Sequence, residues 1–357
     1  MTELLVGTKK GLFLLEGEPG SEFALSTRAF AGEPVDFATR DPRTGRAFAT
    51  VTSPFYGPKI FYTDDPSGGG EWQQAAGVAL PEGCGQALER IWVIACGEAE
   101  GTLYAGGDPG VLFESHDRGA TWELNAALWE QPSRQEWQPG GGGLCLHSIS
   151  TWPGDPDRIA IAISAAGIWL TDDSGRSWRR GNDGLNPGYL PEEALQDPNS
   201  GRCVHHVERS PARPERLFMQ FHGGVYRSDD AGESWTAIGD GLPSDFGFPL
   251  AVDPADPDSA FVIPLVADMD RVTPDGRVRV YETRNAGSSW RPHGEGLPAE
   301  DAYLTVLRQA FNRTGEGESL QLYFGATSGE VFGSGDAGAT WSTVASRLPP
   351  VYSLVAL

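Results

Sequence analysis

The chain of 357 residues has no apolar run near the roughly 18 residues that a membrane-spanning helix needs, so no bilayer crossing is predicted. Its four cysteines show no CxxC or other metal-type spacing, which favours reduced thiols. Helical periodicity is not sustained anywhere, so a βαβ organisation is not expected. There is no P-loop, GxSxG, HExxH or dinucleotide fingerprint, and no nucleotide cofactor is therefore indicated.

Lysine is scarce, with only three residues among the 27 lysines and arginines. The 49 acidic residues are scattered along the chain and give a formal net charge of −22. A chain this negative repels nucleic acid and anionic membranes, so neither is expected as a partner. The first residues, MTELLVGTKKGLFLLEG, lack the layout of a signal peptide, which favours a cytoplasmic location.

One octet of sequence recurs, with serine or threonine first and tryptophan last. Five good copies are SHDRGATW (115–122), TDDSGRSW (171–178), SDDAGESW (228–235), TRNAGSSW (283–290) and SGDAGATW (334–341). Degenerate copies end at Trp72 and Phe23. Successive copies lie roughly 50 to 57 residues apart, a spacing typical of an array of structural repeats.

Each unit repeats the same order of elements. An apolar run, a Pro/Asp turn such as PGDPDR, a second apolar run and a short strand precede the octet, and a fourth strand follows it. This pattern predicts one four-stranded blade per unit and hence an all-β, seven-bladed propeller in a single domain. The C-terminal PPVYSLVAL supplies the strand that the first unit lacks, so we expect the ring to close there. The expected blades are 351–357 with 2–28, 34–75, 89–126, 144–182, 202–240, 247–293 and 302–345.

The octets resemble the Asp-box, or BNR, repeat of sialidases, xyloglucanases, sortilin-type receptors and the photosystem II stability factor. The resemblance covers nearly the whole chain and implies a propeller with each box on the turn between the third and fourth strands. It implies no single function. Sialidases carry an Arg-Ile-Pro motif in a six-bladed ring, whereas Arg90-Ile91 is followed by Trp92, so sialidase activity is not expected. Xyloglucanases place two catalytic aspartates between two propellers, and this chain has room for one.

The octets are expected to be structural. An acid at the third position can accept hydrogen bonds from turn amides, a glycine permits the backbone, and the tryptophan is buried. The D-x-D-x-D-G run and distal glutamate of a calcium loop are missing. The residues concerned are Asp117, Trp122, Asp173, Trp178, Asp230, Trp235, Asn285, Trp290, Asp336 and Trp341.

The candidate site is the face of the ring where first strands begin and second strands end, because propeller ligands bind around the central opening. Aligning two units by their proline turns places His147 over His205, with His206 next to it, and His222 ends the following strand. These histidines predict either acid–base work by His147, His205 and His206 or a divalent transition metal on His147, His205 and His222. The alternative is a set of polar residues lining a watery channel.

Two other groups are candidates on the same face. Asp268 and Asp270 are possible acid–base groups and Arg271 a ligand-binding residue, unless their segment is a solvated loop. Lysines in neighbouring links and Arg90 would form a cationic sector for an anion, although turns accept lysine readily. The members of this sector are Lys9, Lys10, Lys59 and Arg90, and Tyr56 is a further ligand-binding candidate.

Three long loops precede first strands and carry Trp129, Trp137, Tyr189 and a glycine run at 140–143, which are candidates for covering the pocket. Two functions remain open. One is a hydrolase or lyase acting on a small or glycan-like ligand, which would be anionic if the cationic sector binds it, with metal assistance if the histidines hold an ion. The other is a non-catalytic propeller that binds a protein partner.

Overall fold

A computed structural model describes residues 1–193 and 201–357 of the chain. Within these ranges the regular structure is almost entirely β-strand, with a single α-helix, α1 (Ala126–Trp129), and 3₁₀ turns at Pro132–Glu136, Pro274–Gly276 and Gly317–Ser319. The prediction of an all-β architecture is therefore confirmed. No helix in the described part of the chain is long and apolar enough to cross a membrane.

Five sheets have four antiparallel strands each, in chain order from first to fourth. The first is β4 (Val35–Arg40), β5 (Ala47–Ser53), β6 (Gly57–Thr63) and β7 (Gln73–Gln74). The second is β8 (Arg90–Cys96), β9 (Leu103–Asp108), β10 (Val111–Ser115) and β11 (Glu123–Leu124). The third is β12 (Leu146–Trp152), β13 (Asp155–Ile163), β14 (Gly167–Thr171) and β15 (Arg179–Arg180). The fourth is β16 (Val204–Arg209), β17 (Leu217–Phe221), β18 (Gly224–Ser228) and β19 (Thr236–Ala237). The fifth is β20 (Gly247–Val252), β21 (Ala260–Pro264), β22 (Val280–Thr283) and β23 (Arg291–His293).

The remaining eight strands form one sheet that contains both ends of the chain. Its strands are β1 (Thr2–Thr8), β2 (Gly11–Gly17), β3 (Ala24–Ala29), β24 (Val306–Thr314), β25 (Gln321–Ala326), β26 (Val331–Ser334), β27 (Ser342–Ala345) and β28 (Val351–Ala356). β28 pairs with β1 along most of its length, from Leu4 opposite Ala356 to Thr8 opposite Val351. β24 meets β28 through a single parallel pair, Gln309 and Ser353.

The hydrophobic core lies between neighbouring sheets. Second strands such as β17 (LFMQF) are buried along their whole length, because both of their faces are covered. One cluster, for example, joins β13 and β14 to β16, β17 and the tryptophan Trp235. Sheet-on-sheet packing of this kind leaves the first strands β4, β8, β12, β16, β20, β24 and β28 side by side, and these strands line the cavities described below.

Each of the five octets forms the same hydrogen-bonded turn. In SDDAGESW, Asp230 accepts hydrogen bonds from the Ser228 hydroxyl at 2.7 Å and from the Ser234 amide at 2.9 Å. The chain turns through positive φ angles of 68° at Ala231 and 99° at Gly232, a conformation that favours glycine. Trp235 is buried and its indole N–H donates to the Gly181 carbonyl at 2.9 Å, so this octet joins two consecutive sheets.

The other four octets make the same contacts at the third position, but the indole partners differ: Trp178 and Trp290 donate to residues that follow the preceding sheet, as Trp235 does, whereas Trp122 and Trp341 donate to a glycine of their own octet. The residues that accept at the third position are Asp117, Asp173, Asn285 and Asp336, and the tryptophans with an indole hydrogen bond are Trp122, Trp178, Trp290 and Trp341. The Ser177 hydroxyl, with further hydrogen bonds from Thr171 and the Ser177 amide, lowers the pKa of Asp173 to about 2. These contacts give the octets a structural role, and none of these residues lines the main cavity defined below.

Candidate functional site

A β-bulge interrupts each of the seven first strands. A bulge adds residues to one strand of a pair and re-aims the side chain at that point. The register shifts fall at Asp36, Trp92, His147, His205 and Tyr352, and within 248–249 and 307–310. Six of these seven positions contribute side chains to one cavity, so the bulges are the local reason that a site exists at this end of the strands.

This main cavity has a volume of about 670 Å³, within the range of small-molecule sites in proteins. Its bulge residues are Asp36, Trp92, His205, Phe248, Arg308 and Tyr352. Residues that precede the bulges or end second strands complete the wall, among them Arg90, Cys203 and His222. The glycine run 140–143, Tyr189 and the pair Asp268 and Arg271 form its rim.

A second cavity of about 280 Å³ lies beyond the bulges, along the same first strands. On β16, His205 lines the main cavity, whereas His206 and the residues after it line the second cavity. Gln309 lines both cavities, and its side-chain amide donates to the His147 carbonyl at 2.5 Å. The two cavities therefore lie at opposite ends of the row of first strands.

Three arginines line the main cavity, and two of them are paired with carboxylates. Arg90 Nε lies 3.3 Å from Asp36 Oδ1, and an Arg271 guanidinium nitrogen lies 2.7 Å from Asp268 Oδ1. Arg308 donates through Nε to the His205 carbonyl at 3.0 Å and forms no ion pair with a carboxylate in residues 1–193 and 201–357. The main cavity thus has one more guanidinium than carboxylates among its charged lining residues.

Aromatic rings hold the Arg308 guanidinium in place. Its central carbon lies 5.0 Å from the centre of the Trp92 ring and 5.2 Å from that of Phe248. Burial lowers the pKa of Arg308, with Arg271 and Arg90 adding repulsion, although an arginine stays protonated in proteins. A half-buried, oriented guanidinium with no carboxylate partner is suited to bind a carboxylate or phosphate of a ligand.

Asp36 is the buried carboxylate of this cavity. Its Oδ2 accepts from the Thr52 hydroxyl at 2.5 Å, while Oδ1 has no hydrogen-bond donor among the described residues. Burial raises the pKa of Asp36, and the charge of Arg90 and the Thr52 hydrogen bond oppose that rise only in part. A carboxyl group with a raised pKa retains its proton closer to neutral pH, which is a property of general acids.

Cys203, His205 and His222 form the one cluster of potential metal-binding side chains found in the described part of the chain. Their ligand atoms all lie within 4.8 Å of one another. Burial, with a contribution from Arg308, holds the pKa of His205 well below its usual value, and burial also lowers the pKa of His222. Burial raises the pKa of the Cys203 thiol. Both imidazoles are therefore neutral near pH 7.

The structure separates the predicted histidines. His205 and His222 are neighbours, with ring centres 5.2 Å apart, whereas His147 and His206 line the second cavity. His147 Nε2 donates to the Val204 carbonyl at 2.9 Å and Nδ1 accepts from the Ser148 hydroxyl at 3.0 Å, so neither nitrogen is available to a metal. Cys203 therefore takes the place that the sequence analysis assigned to His147.

His206 is also committed to protein contacts. Its Nδ1 donates to the Arg308 carbonyl at 2.9 Å and its Nε2 faces Glu208 at 3.6 Å. Asp270 is exposed and lies outside the lining of the main cavity, unlike Asp268 and Arg271 in the same loop. An acid–base pair of Asp268 with Asp270 is thus not brought together on the cavity wall.

The cationic sector predicted from the lysines is not assembled either. Lys9 and Lys10 are exposed at the turn between β1 and β2. Lys59 and Tyr56 line a separate cavity of about 430 Å³ beside β6. Only Arg90 of that set lines the main cavity, where the arginines of other strands accompany it.

Two of the long loops reach the rim. At Gly143, φ is +93° and an added Cβ would lie 2.4 Å from Asp108 Oδ2, so this residue approaches the end of the second strand β9 closely because it is glycine. Tyr189 packs on His222 with ring centres 4.1 Å apart. Trp137 is buried against Trp169 instead, and Arg134 stacks on Trp129. Residues 194–200 of the third predicted loop lie outside the described residues.

Sequence reasoning missed Asp36, Trp92, Cys203, Arg308 and Tyr352 as site residues. A signal for four of them was present. The first strands can be aligned as VDF, IWV, VHH, VLR and VYS. Each triplet begins with valine or isoleucine, and the residue after it differs in type from unit to unit. That variable position, or the one after it in β24, is where the bulge lies and where the side chain enters the cavity.

No protein-family model matches the chain. A segment of 155 residues is 24% identical to an oligoxyloglucan-reducing end-specific xyloglucanase of Emericella nidulans, covering 43% of this chain and 17% of that protein. The chain thus spans only a small part of the length of this curated relative.

Among solved structures, an ancestral GH74 enzyme superposes with a TM-score of 0.59 at 16% identity, over 96% of this chain and 39% of that one. YCF48 from Cyanidioschyzon merolae gives 0.56 at 11% identity, over 88% and 87%. YCF48 bound to D1 peptide gives 0.53 at 13% identity, over 90% and 84%. At these identities the likeness shows the fold alone. Four-stranded sheets together with this likeness make the chain a β-propeller.

Proposed function

We propose that the chain is a seven-bladed propeller, closed by β28, whose main cavity binds a small anionic ligand and acts on it as a hydrolase or lyase. The blade count is supported by the sheets: each predicted blade from 34–75 to 247–293 contains one four-stranded sheet. The eight-stranded sheet divides into two sets of four at the single pair between β24 and β28.

Arg308 is the observation that carries the ligand proposal. Its guanidinium is half-buried between Trp92 and Phe248, faces a cavity of about 670 Å³ and has no carboxylate partner in the described ranges. A guanidinium that is half-buried, oriented and left without a carboxylate carries a desolvation cost that a bound anion would offset. A carboxylate-bearing sugar or a similar small organic acid has the required charge and size.

Asp36 and Trp92 are the residues to which we give the remaining roles in the proposed reaction. Asp36 is the proton donor of the proposed reaction because its pKa is raised and its Oδ1 lacks a donor among the described residues. Trp92 offers a ring for an apolar or sugar face, and its indole N–H is a buried donor without a partner in the described part of the chain. The glycosidase relatives are in keeping with this proposal but do not specify it.

Binding of a protein is the alternative, because YCF48 was solved with a peptide. The main cavity favours a small ligand, since its polar groups converge inside a concavity and not on a broad exposed surface. A protein partner would instead be expected to use the exposed outer edges of the loops.

The test is a calorimetric titration with gluconate and glucuronate, with glucose as the neutral comparison. Arg308→Gln removes a charge-assisted hydrogen bond worth about 1.5–3 kcal/mol, so affinity for the acids should fall roughly 10- to 150-fold. Arg313→Gln, at the second cavity, is the matched control and should leave affinity unchanged. Equal affinity for glucose and glucuronate, or wild-type affinity in Arg308→Gln, would refute the ligand proposal. Turnover is read by NMR with the methyl glycoside of glucuronic acid, whose glycosidic bond water can cleave to glucuronic acid and methanol, and Asp36→Asn should abolish it while binding persists.

A further inference from the structure

We infer that Cys203, His205 and His222 form a binding site for one transition-metal ion, with zinc as the best match. This inference does not depend on the proposed function, because none of the three side chains is hydrogen-bonded to Arg308 or Asp36; Arg308 donates only to the backbone carbonyl of His205. The sequence analysis placed a metal on His147, His205 and His222, and the structure replaces its first ligand by a thiol.

The β16–β17 hairpin brings the three side chains together. Cys203 immediately precedes β16 and His222 immediately follows β17, and the His222 amide donates to the Cys203 carbonyl at 3.0 Å. The bulge at His205 turns that imidazole to the same side as Cys203, instead of leaving it in regular strand alternation. Two ligands therefore come from the ends of the hairpin and one from its bulge.

His205 is held in the tautomer that a metal requires. Its Nδ1 lies 2.6 Å from the Gly247 carbonyl, which can only accept, so Nδ1 carries the proton and Nε2 presents its lone pair. A hydrogen bond from the second ring nitrogen to a backbone carbonyl is the usual support of a metal-binding histidine. Nε2 has no hydrogen-bond partner among the residues the structure describes.

The ring of His222 is also positioned. Tyr189 lies against one side with ring centres 4.1 Å apart, and Phe246 packs edge-on at 5.2 Å from His222 and 5.2 Å from His205. No hydrogen bond occupies either nitrogen of His222 within the described residues. Aromatic rings thus pack against both imidazoles, and within the described residues no hydrogen bond competes with a metal for His205 Nε2 or for the nitrogens of His222.

The spacing suits zinc after a small adjustment. Tetrahedral zinc with bonds of about 2.0–2.3 Å separates neighbouring ligand atoms by about 3.3–3.6 Å. The three ligand atoms lie within 4.8 Å of one another. Side-chain rotations that move these atoms by about 1 Å bring them to the separations that zinc needs. One thiolate with two imidazoles excludes calcium and magnesium, which prefer oxygen, and three protein ligands leave a fourth position open to the main cavity.

Cobalt titration of the full chain tests the site. Chelator-treated protein is titrated with Co²⁺ and followed by absorption spectroscopy. We expect one equivalent to bind with a thiolate-to-cobalt charge-transfer band in the near ultraviolet and tetrahedral d–d bands, and Zn²⁺ to displace it. Cys203→Ser should lose the charge-transfer band, and His222→Gln should weaken Co²⁺ binding at least tenfold.

Two matched controls have the same residue types outside the cavity. Cys96→Ser removes another half-buried thiol and His116→Gln an exposed histidine, and both should keep the wild-type spectrum. Absence of the band in the wild type, or its persistence in Cys203→Ser, overturns the inference. His222→Gln, at a half-buried position, keeps the test decisive if Cys203→Ser does not fold. Sugar-acid binding is measured with chelator present, so failure of the metal site leaves that result separate.

Discussion

The main cavity and the second cavity lie on either side of one row of β-bulges and are walled by the same first strands. Both contain two histidines and at least two arginines. In the second cavity both histidines are hydrogen-bonded to the protein: His147 to Val204 and Ser148, and His206 to the Arg308 carbonyl. Arg313 faces Glu208 at 3.9 Å there.

In the main cavity several of the corresponding polar groups remain able to bind a ligand. His205 Nε2 and the Trp92 indole N–H have no hydrogen-bond partner in the described ranges, the Arg308 guanidinium has no carboxylate partner there, and Asp36 Oδ1 meets the Arg90 guanidinium at 3.3 Å. Buried polar groups are normally satisfied, and the second cavity also has two that are not, Arg209 Nε and Arg313 Nε, so the two cavities differ in the bonding of their histidines and not in the number of unsatisfied groups. Histidine content alone does not distinguish the two cavities, whereas the state of each nitrogen does.

The largest expected effect concerns stability at the second cavity. His147→Leu removes the shorter of two side-chain hydrogen bonds to the Val204 carbonyl, Nε2–H at 2.9 Å, and keeps the Ser164 hydroxyl at 3.4 Å. We expect the free energy of unfolding to fall by about 1–3 kcal/mol. Denaturant unfolding measures it, with sugar-acid affinity unchanged.

His222→Leu is the comparison at the main cavity and is measured in chelator. Since His222 makes no hydrogen bond within the described residues, its free energy of unfolding should stay within about 0.5 kcal/mol of the wild type. Equal destabilisation by the two substitutions would contradict the distinction between the hydrogen-bonded His147 and the unbonded His222.

A smaller effect is expected at Asp36, and it depends on pH. Burial raises the pKa of Asp36 in the folded protein above 3.8, so the folded state disfavours the charge that the unfolded state accepts. Below pH 3.8 wild type and Asp36→Asn should unfold alike. As pH rises through the folded pKa, the wild type loses stability and the variant does not.

Thermal unfolding from pH 3 to 8 measures this difference. Asp36→Asn should melt about 1–3 °C above the wild type at pH 7, the shift that somewhat under 1 kcal/mol produces in a chain of this size. A melting temperature that falls in Asp36→Asn at pH 7 would mean that Arg90 stabilises the carboxylate more than burial destabilises it.

The all-β architecture followed from local features that repeat. Each unit has four short apolar runs separated by proline and glycine turns, and a tryptophan that must be buried. Every unit with this pattern is therefore predicted to form a sheet of four strands. The octet illustrates this, since every contact of Asp230 is to a residue within four positions of it. Contacts between residues this close in sequence can be predicted from one short segment.

The site depends on relations between segments. Arg308 lies in β24, yet its neighbours Trp92, His205 and Phe248 come from three other sheets. His147 aligned with His205 in sequence and a register shift falls at both positions, yet the two rings line different cavities. Which cavity a side chain enters depends on its packing against neighbouring strands as well as on register, and turn alignment gives neither.

The smallest expected effect is at the lysines that the sequence analysis grouped with Arg90. Lys9 and Lys10 are exposed and Lys59 lines the cavity beside β6, so none lies in the wall around Arg308. Charges outside the cavity are separated from the ligand by solvent and salt, which screen them at about 8–10 Å in physiological buffer. Replacing all three lysines by alanine should therefore change glucuronate affinity less than about twofold at 0.15 M salt. The matched arginine variant, Arg308→Gln, loses one charge where the triple variant loses three. A larger loss in the triple variant would show that the overall field, and not the oriented guanidinium, selects the anion.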